Sequence, residues 1–240
     1  MTDLGSYPGA TLADSSWKIA YADVFATLCQ KGEFLSKYPG WTGYPTNYHT
    51  TDGSGHYDPN QVSVVKTEDG RQVMDVECKP GANRSNVSAA MYPRVAGAGS
   101  LGMRVEQRIR VVDGVKGWHL ANLLWPKSER WPEDGEIDYY ECGAASTNVS
   151  CFVHRQNGTS GSDQTIFNKT LDQGKWHVVC VEWKAGQSVK WFVDGQQIGS
   201  TMVARVPSTK MRLVLQIESS GTPLSTTHVQ YDWIKVHFPA

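Results

Sequence analysis

The stretch on which the fold reading turns is Gly135-Glu136-Ile137-Asp138-Tyr139-Tyr140-Glu141, preceded by Trp131-Pro132. Its Ile and Tyr favour a strand over a helix. Residues two apart on a strand share a face, so Glu136 and Asp138 point the same way. Glu141 is odd-spaced from Asp138 and would point to the other face of a regular strand. One extra residue at Tyr139-Tyr140, a β-bulge, returns it to the face of the other two, and bulges recur beside active sites because they re-aim a side chain. An acidic strand facing solvent is the competing reading. Three like charges on one strand face repel, and such an arrangement points to a functional site.

With the bulge absorbed, the outer carboxylates are effectively four strand steps apart, roughly 13 Å between Cα atoms at about 3.3 Å per step. Glu side chains leaning together close most of that gap. They approach the ~5–5.5 Å between nucleophile and acid/base in a retaining glycosidase. Asp138, between them, can hydrogen-bond the nucleophile and hold its charge state.

Outward from this strand the pattern stays β. Candidate strands cover 17–25, 61–66, 72–78, 101–112, 117–125, 148–154, 175–184, 189–193, 196–199, 211–218 and 229–238. A further short strand is possible at 88–92. Glu68-Asp69-Gly70 and Asp194-Gly195 are hairpin turns. No stretch has helical periodicity. Many short strands with turn signals predict one all-β sandwich. Residues 1–16 read as an N-terminal arm or linker and 17–240 as a single domain. The segment 29–60, rich in Gly, Pro, Tyr and His, reads as a long loop region, and such loops are often functional. His49, His56 and Asp58 there match no metal-ligand spacing.

The segment 131–141 resembles the signature of glycoside hydrolase family 16, in its bulged E-x-D-x-x-E form. That family includes laminarinases, mixed-linkage β-glucanases, agarases and carrageenases. Further matches are Leu123-Leu124-Trp125-Pro126, Trp176-His177 through Glu182-Trp183, Phe192-Val193-Asp194-Gly195 and Tyr231-Asp232-Trp233-Ile234-Lys235-Val236, so the resemblance spans roughly 17–238. It implies a concanavalin-like jelly roll of two curved antiparallel sheets with a cleft on the concave one. It also implies Glu136 as nucleophile, Asp138 as its supporting carboxylate and Glu141 as acid/base. His154, on the next strand, resembles a cleft histidine of the family; a hydrogen-bonded core histidine is the competing role. Asp232 falls where some relatives hold a structural calcium, and is the one candidate metal ligand. The chain departs from the resemblance at Trp118-His119-Leu120-Ala121-Asn122, where many relatives read W-P-A-F-W.

Trp118, Trp125 and Trp131 cluster just before the carboxylate strand. They are candidate sugar-stacking platforms, with core packing as the alternative. Glu106 and Glu218 are read as facing either the cleft or solvent, Arg94 and Arg104 as surface charges. Cys142 faces away from the carboxylates; a Cys142–Cys151 disulfide and two buried thiols are both open. The 240 residues carry a net charge of −1, which gives no signal for nucleic acid or an anionic membrane. No apolar run is long enough to span a bilayer. The start, Met1-Thr2-Asp3-Leu4-Gly5, lacks the basic and apolar regions of a signal peptide. The expectation is an extracellular monomer, either a mature form or a component of a phage particle.

Two functions follow as expectations. The first is an endo-acting, retaining hydrolase of a β-linked polysaccharide, β-1,3- or mixed-linkage glucan by family base rate, needing no organic cofactor. The second is a carbohydrate-binding, lectin-like domain, for example a phage tail or receptor-binding component. The intact three-carboxylate set speaks for the first, since a binder has no need of Glu141.

Overall fold

The computed structural model describes residues 7–11, 14–82 and 85–240. The first strands are β1 (Trp17–Asp23), β2 (Trp41–Gly43), β3 (Tyr48–His49), β4 (Gly55–Tyr57), β5 (Val62–Lys66), β6 (Gln72–Cys78), β7 (Asn86–Ser88) and β8 (Ala90–Pro93). The long central strands follow: β9 (Gly102–Val112), β10 (Trp118–Pro126), β11 (Glu136–Gly143), β12 (Asn148–His154) and β13 (Gln164–Thr170). The chain closes with β14 (His177–Lys184), β15 (Ser188–Val193), β16 (Gln196–Met202), β17 (Met211–Ser219) and β18 (Thr227–Pro239). Two single-turn helices, α1 (Phe34–Lys37) and α2 (Arg94–Gly97), interrupt them.

The strands form two large antiparallel sheets. The back sheet runs β16-β15-β14-β9-β18-β6-β5, with β1 also paired to β18. The cleft sheet runs β13-β12-β11-β10-β17-β8-β2. A small third sheet, β3-β4-β7, belongs to the segment 29–60 that reads as loop, and β7 beyond it. Alternation explains the layering: Met103, Val105, Ile109 and Val111 of β9 face the core, as do Leu120 and Leu124 of β10 and Leu213, Leu215 and Ile217 of β17.

The outer face of the back sheet carries a buried ionic cluster. Arg104 is only 2 % exposed, not the surface charge the sequence suggests. It pairs with Glu106 at 3.2 Å and Glu182 at 3.0 Å, and Lys235 approaches Glu106 to 3.3 Å. Of the stretch 1–16, residues 1–6 and 12–13 lie outside the described residues. Residues 7–11 lie over this cluster: the Thr11 amide and hydroxyl both donate to Glu106 Oε1, at 2.8 and 2.7 Å. The Trp233 indole donates to the Pro8 carbonyl at 3.2 Å, and Tyr7 meets the Trp233 ring edge-on. Glu106 is therefore remote from the cleft.

Candidate active site

The bulge sits where the spacing predicts it. Asp138 pairs with Phe152 of β12 and Glu141 with Ser150, so three steps on β11 match two on its neighbour. On the other side, Asn122 of β10 faces Tyr140 and Leu123 faces Asp138. Tyr139 and Tyr140 are the doubled residues, and both rings turn into the space between the sheets. There the Tyr139 hydroxyl donates to Gln107 Oε1 at 3.0 Å and the Tyr140 hydroxyl to Gln173 Oε1 at 3.2 Å. These two anchors pin the bulge from behind. Glu136, Asp138 and Glu141 consequently line one cleft of about 780 Å³. Gly135, just before them, has φ +74°, and a Cβ there would lie 2.5 Å from the His154 carbonyl oxygen; no other residue fits this entry to the strand.

Aromatic side chains build one wall. Trp125 and Trp131 stack with centroids 6.4 Å apart and planes 14° from parallel, and His154 meets Trp131 edge-on at 5.7 Å. Trp131 is 39 % exposed. The Trp125 indole donates to Glu129 Oε2 at 2.7 Å, and Glu129 Oε1 pairs with Arg212 of β17 at 3.0 Å. The 44–57 segment also lines the cleft, with Tyr44 packed in the same cluster as Trp125. Glu218 of β17 fixes it to the sheet: its Oε2 accepts from the Thr51 amide at 2.8 Å and from the Tyr57 hydroxyl at 2.6 Å. Tyr48 on this segment is 57 % exposed and lines the cleft.

The electrostatics of the carboxylates follow from burial and mutual repulsion. Burial first, then the charges of Glu136 and Glu141, hold the Asp138 carboxyl well above its ordinary range. Burial and the Glu141 charge also raise Glu136, against lowering contributions from the Trp131 indole N–H and from Asp138. Asp138 is the more deeply buried of the two, at 1 % exposed against 9 %, and both carboxyls are pushed toward the protonated form, Glu136 up to about 8. His154 Nδ1 is 2.9 Å from the Gly161 carbonyl, which can only accept, so this nitrogen carries the hydrogen. Burial lowers the His154 pKa, and its Nε2 lies 3.9 Å from Glu136 and 4.0 Å from Asp138. At the other end of the triad, His119 Nε2 lies 3.0 Å from Glu141 Oε1.

The structure brings Trp125, Trp131 and His154 into the cleft, as the sequence predicts. Trp118 is a correction: it is 1 % exposed, packs in the core between the sheets, and donates its indole N–H to the Ser225 carbonyl at 2.9 Å. Asp232 is a second correction. Its Oδ2 pairs with Arg108 at 2.5 Å and Arg71 at 3.4 Å. Two guanidinium groups against one carboxylate do not fit a calcium, which needs several oxygen ligands. Among the described residues, the metal-type side chains close enough to share an ion are Glu136, Asp138 and His154. All five cysteines are free and buried, so Cys142 and Cys151 form no bridge. Sequence reading missed His119, Arg212, Glu129 and Tyr48 as cleft residues. His119 carried a signal: it is six residues before Trp125 and shares its face.

Residues 74–235, about two thirds of the chain, match the family described as Glycosyl hydrolases family 16. Two probable endo-1,3(4)-β-glucanases of Aspergillus fumigatus strains are each 23 % identical over 230 residues, covering 78 % of this chain and 31 % of theirs. The chain thus spans about a third of the length of these curated relatives. Among solved structures, a non-specific endo-β-1,3(4)-glucanase has a TM-score of 0.74 at 17 % identity, covering 96 % of this chain and 94 % of that one. The laminarinase from Rhodothermus marinus has a TM-score of 0.72 at 19 % identity, covering 93 % and 98 %. At these identities the structures establish a shared fold.

Proposed function

Since the chain belongs to glycosyl hydrolase family 16, we propose that it is an endo-acting hydrolase of β-linked glucan that retains configuration. The observation that carries the reading is the bulged strand, which sends Glu136, Asp138 and Glu141 into one cleft. Glu136 is the nucleophile and attacks the anomeric carbon. Glu141 protonates the departing glycosidic oxygen, then activates the water that releases the glycosyl-enzyme. Asp138 keeps the proton that would otherwise neutralise Glu136, and hands Glu136 a hydrogen bond instead. Trp131 serves as a stacking platform beside the nucleophile, with Trp125 stacked on it, and Tyr48 of the 44–57 segment as another.

A β-1,3- or mixed-linkage glucan is proposed as substrate because the relatives are named for those linkages. The cleft residues supply nucleophile, acid and base, so the mechanism calls on no cofactor. A polymer substrate puts the site of action outside the cell, and the cleft as built needs no second subunit. Nothing in the site favours the lectin-like alternative.

The test is reducing-sugar release from a panel of β-glucans and galactans by the parent, Glu136→Gln and Glu141→Gln. Glu136→Gln should lose several orders of magnitude of turnover while calorimetry still registers oligosaccharide binding. Glu141→Gln should lose activity on polysaccharide but keep glycosylation by substrates with an activated leaving group, with azide rescuing the second step. Binding without cleavage by the parent, indifferent to both substitutions, would refute the reading.

A further inference from the structure

We propose that His119 is the positioning residue of Glu141, and that the two side chains hold one proton between them for delivery to the leaving glycosidic oxygen. The proposal rests on the hydrolase reading above. His119 falls within Trp118-His119-Leu120-Ala121-Asn122, the stretch where the chain departs from the W-P-A-F-W of many relatives in the resembled family. His119 faces Gly143 across the β10–β11 ladder and Glu141 faces Ala121, so the two side chains meet on the diagonal. His119 Nε2 lies 3.0 Å from Glu141 Oε1, on the open surface of the cleft.

On its other side, His119 has Glu218 of β17 as its direct ladder partner. Glu218 is fixed by the Thr51 amide and the Tyr57 hydroxyl. The imidazole therefore lies between two carboxylates, one free to do chemistry and one committed to the loop. The other titratable groups of the same cleft near it are His49 and Tyr57 on the loop and, farther along β11, Asp138 and Glu136. Burial alone would push the imidazole down. The hydrogen bond to Glu141 and the charges of Glu141 and Glu218 outweigh it and hold His119 above its usual range.

One proton on the pair gives either imidazolium with carboxylate or imidazole with carboxylic acid. Moving that proton from Nε2 to Oε1 converts the first form to the second. Glu141 then protonates the glycosidic oxygen as the carbon–oxygen bond breaks and Glu136 bonds the anomeric carbon. In the second step the attacking water gives a proton to Glu141 as the Glu136 ester breaks, so the pair ends each turnover as it began. The pH at which the last proton leaves belongs to the pair and not to Glu141 alone.

The experiment is kcat/KM against pH for the parent and His119→Gln, on polysaccharide and on an aryl β-glycoside with an activated leaving group. On polysaccharide the alkaline limb of His119→Gln should fall at lower pH by about one unit or more. On the aryl glycoside, whose departure needs no proton, the two alkaline limbs should coincide. A limb on polysaccharide that stays within about 0.3 unit overturns the proposal, whatever happens to the plateau. The second arm follows the His119 imidazole by NMR titration of the free protein. Its pKa should lie above the ordinary histidine value in the parent and fall in Glu141→Gln; a titration indifferent to Glu141→Gln overturns the pairing. If the parent cleaves no glucan, the hydrolase reading fails, and the NMR arm alone decides whether the pair shares a proton.

Discussion

Asp138→Ala isolates the part of the site that keeps the nucleophile charged. Asp138 is 1 % exposed, and on the proposed mechanism it carries the proton and donates it to Glu136 in a hydrogen bond. At working pH the substitution therefore removes a hydrogen-bond donor, not a negative charge. A hydrogen bond to a charged group is worth about 1.5–3 kcal/mol, which corresponds to a rise of about 1–2 units in the Glu136 pKa. The sign follows: without its donor the Glu136 carboxylate is favoured less, so it protonates at higher pH. Activity that requires an ionised Glu136 then loses its acid side first. The assay is kcat/KM against pH on an aryl β-glycoside with an activated leaving group, which hides the Glu141 proton and leaves the acid limb to Glu136. That limb should move up by about 1–2 pH units. Asp138→Asn is the control: it keeps the volume and an N–H donor, and should move the limb by less than about half a unit. If the limb in Asp138→Ala stays put or moves to lower pH, Asp138 is ionised at working pH and the proton has been given to the wrong carboxyl.

Trp131→Ala should weaken oligosaccharide binding by about 1–3 kcal/mol, by analogy with stacking on other planar ligands; calorimetry checks this, and unchanged affinity would show that the ring is no platform. Gly161→Ala should weaken binding in the same direction without touching the indole, because the added Cβ would sit 2.7 Å from the Trp131 ring. Tyr139→Phe leaves Gln107 Oε1 without its buried donor; it should cost about 1–2 kcal/mol and lower Tm by about 2–4 °C per kcal/mol, as read by calorimetric melting. Glu106→Gln strips Arg104 and Lys235 of a buried counter-charge and should cost about 3–5 kcal/mol in denaturant melts. Although burial opposes it, Arg104 and Thr11 hold Glu106 below its ordinary range. Its contribution is therefore present above the unfolded carboxylate value of about 4.3 and lost as pH falls through the lower folded value. Melts at pH 7 and pH 3 should accordingly show a smaller acid loss for Glu106→Gln than for the parent.

Strand β9 was legible because its apolar residues alternate, with Met103, Val105, Ile109 and Val111 facing the core; β10, β14 and β18 are buried over much of both faces and were legible from their β-branched and aromatic residues. The bulge was legible because three carboxylates on one strand need a common face. Trp118 was misassigned although parity separates it from Trp125: the two are seven residues apart, so a regular strand sends them to opposite faces. Proximity in sequence was allowed to outweigh that rule. Strand β13 escaped notice because it is the sheet edge, with Ile166 exposed and little alternation to read. The wall formed by 44–57 depends on Glu218, more than 150 residues later, accepting from Thr51 and Tyr57. A contact of that range leaves no periodic trace in either segment. Asp232 shows the reverse case: the position matches, but the two arginines beside it come from β9 and from the turn before β6.

The paired tyrosines of β11 make the segment unequally tolerant of gain and loss in length. A chain shortened by one of them would read E-x-D-x-E and, at a strict period of two, would still send all three carboxylates to the same side. The loss would fall on an anchor, since Gln107 or Gln173 would be left without its hydroxyl. A chain lengthened by one residue, with the bulge retained, would turn the last carboxylate into the apolar space between the sheets, where an unpaired charge is not tolerated. Length drift at this strand is therefore open in one direction and closed in the other.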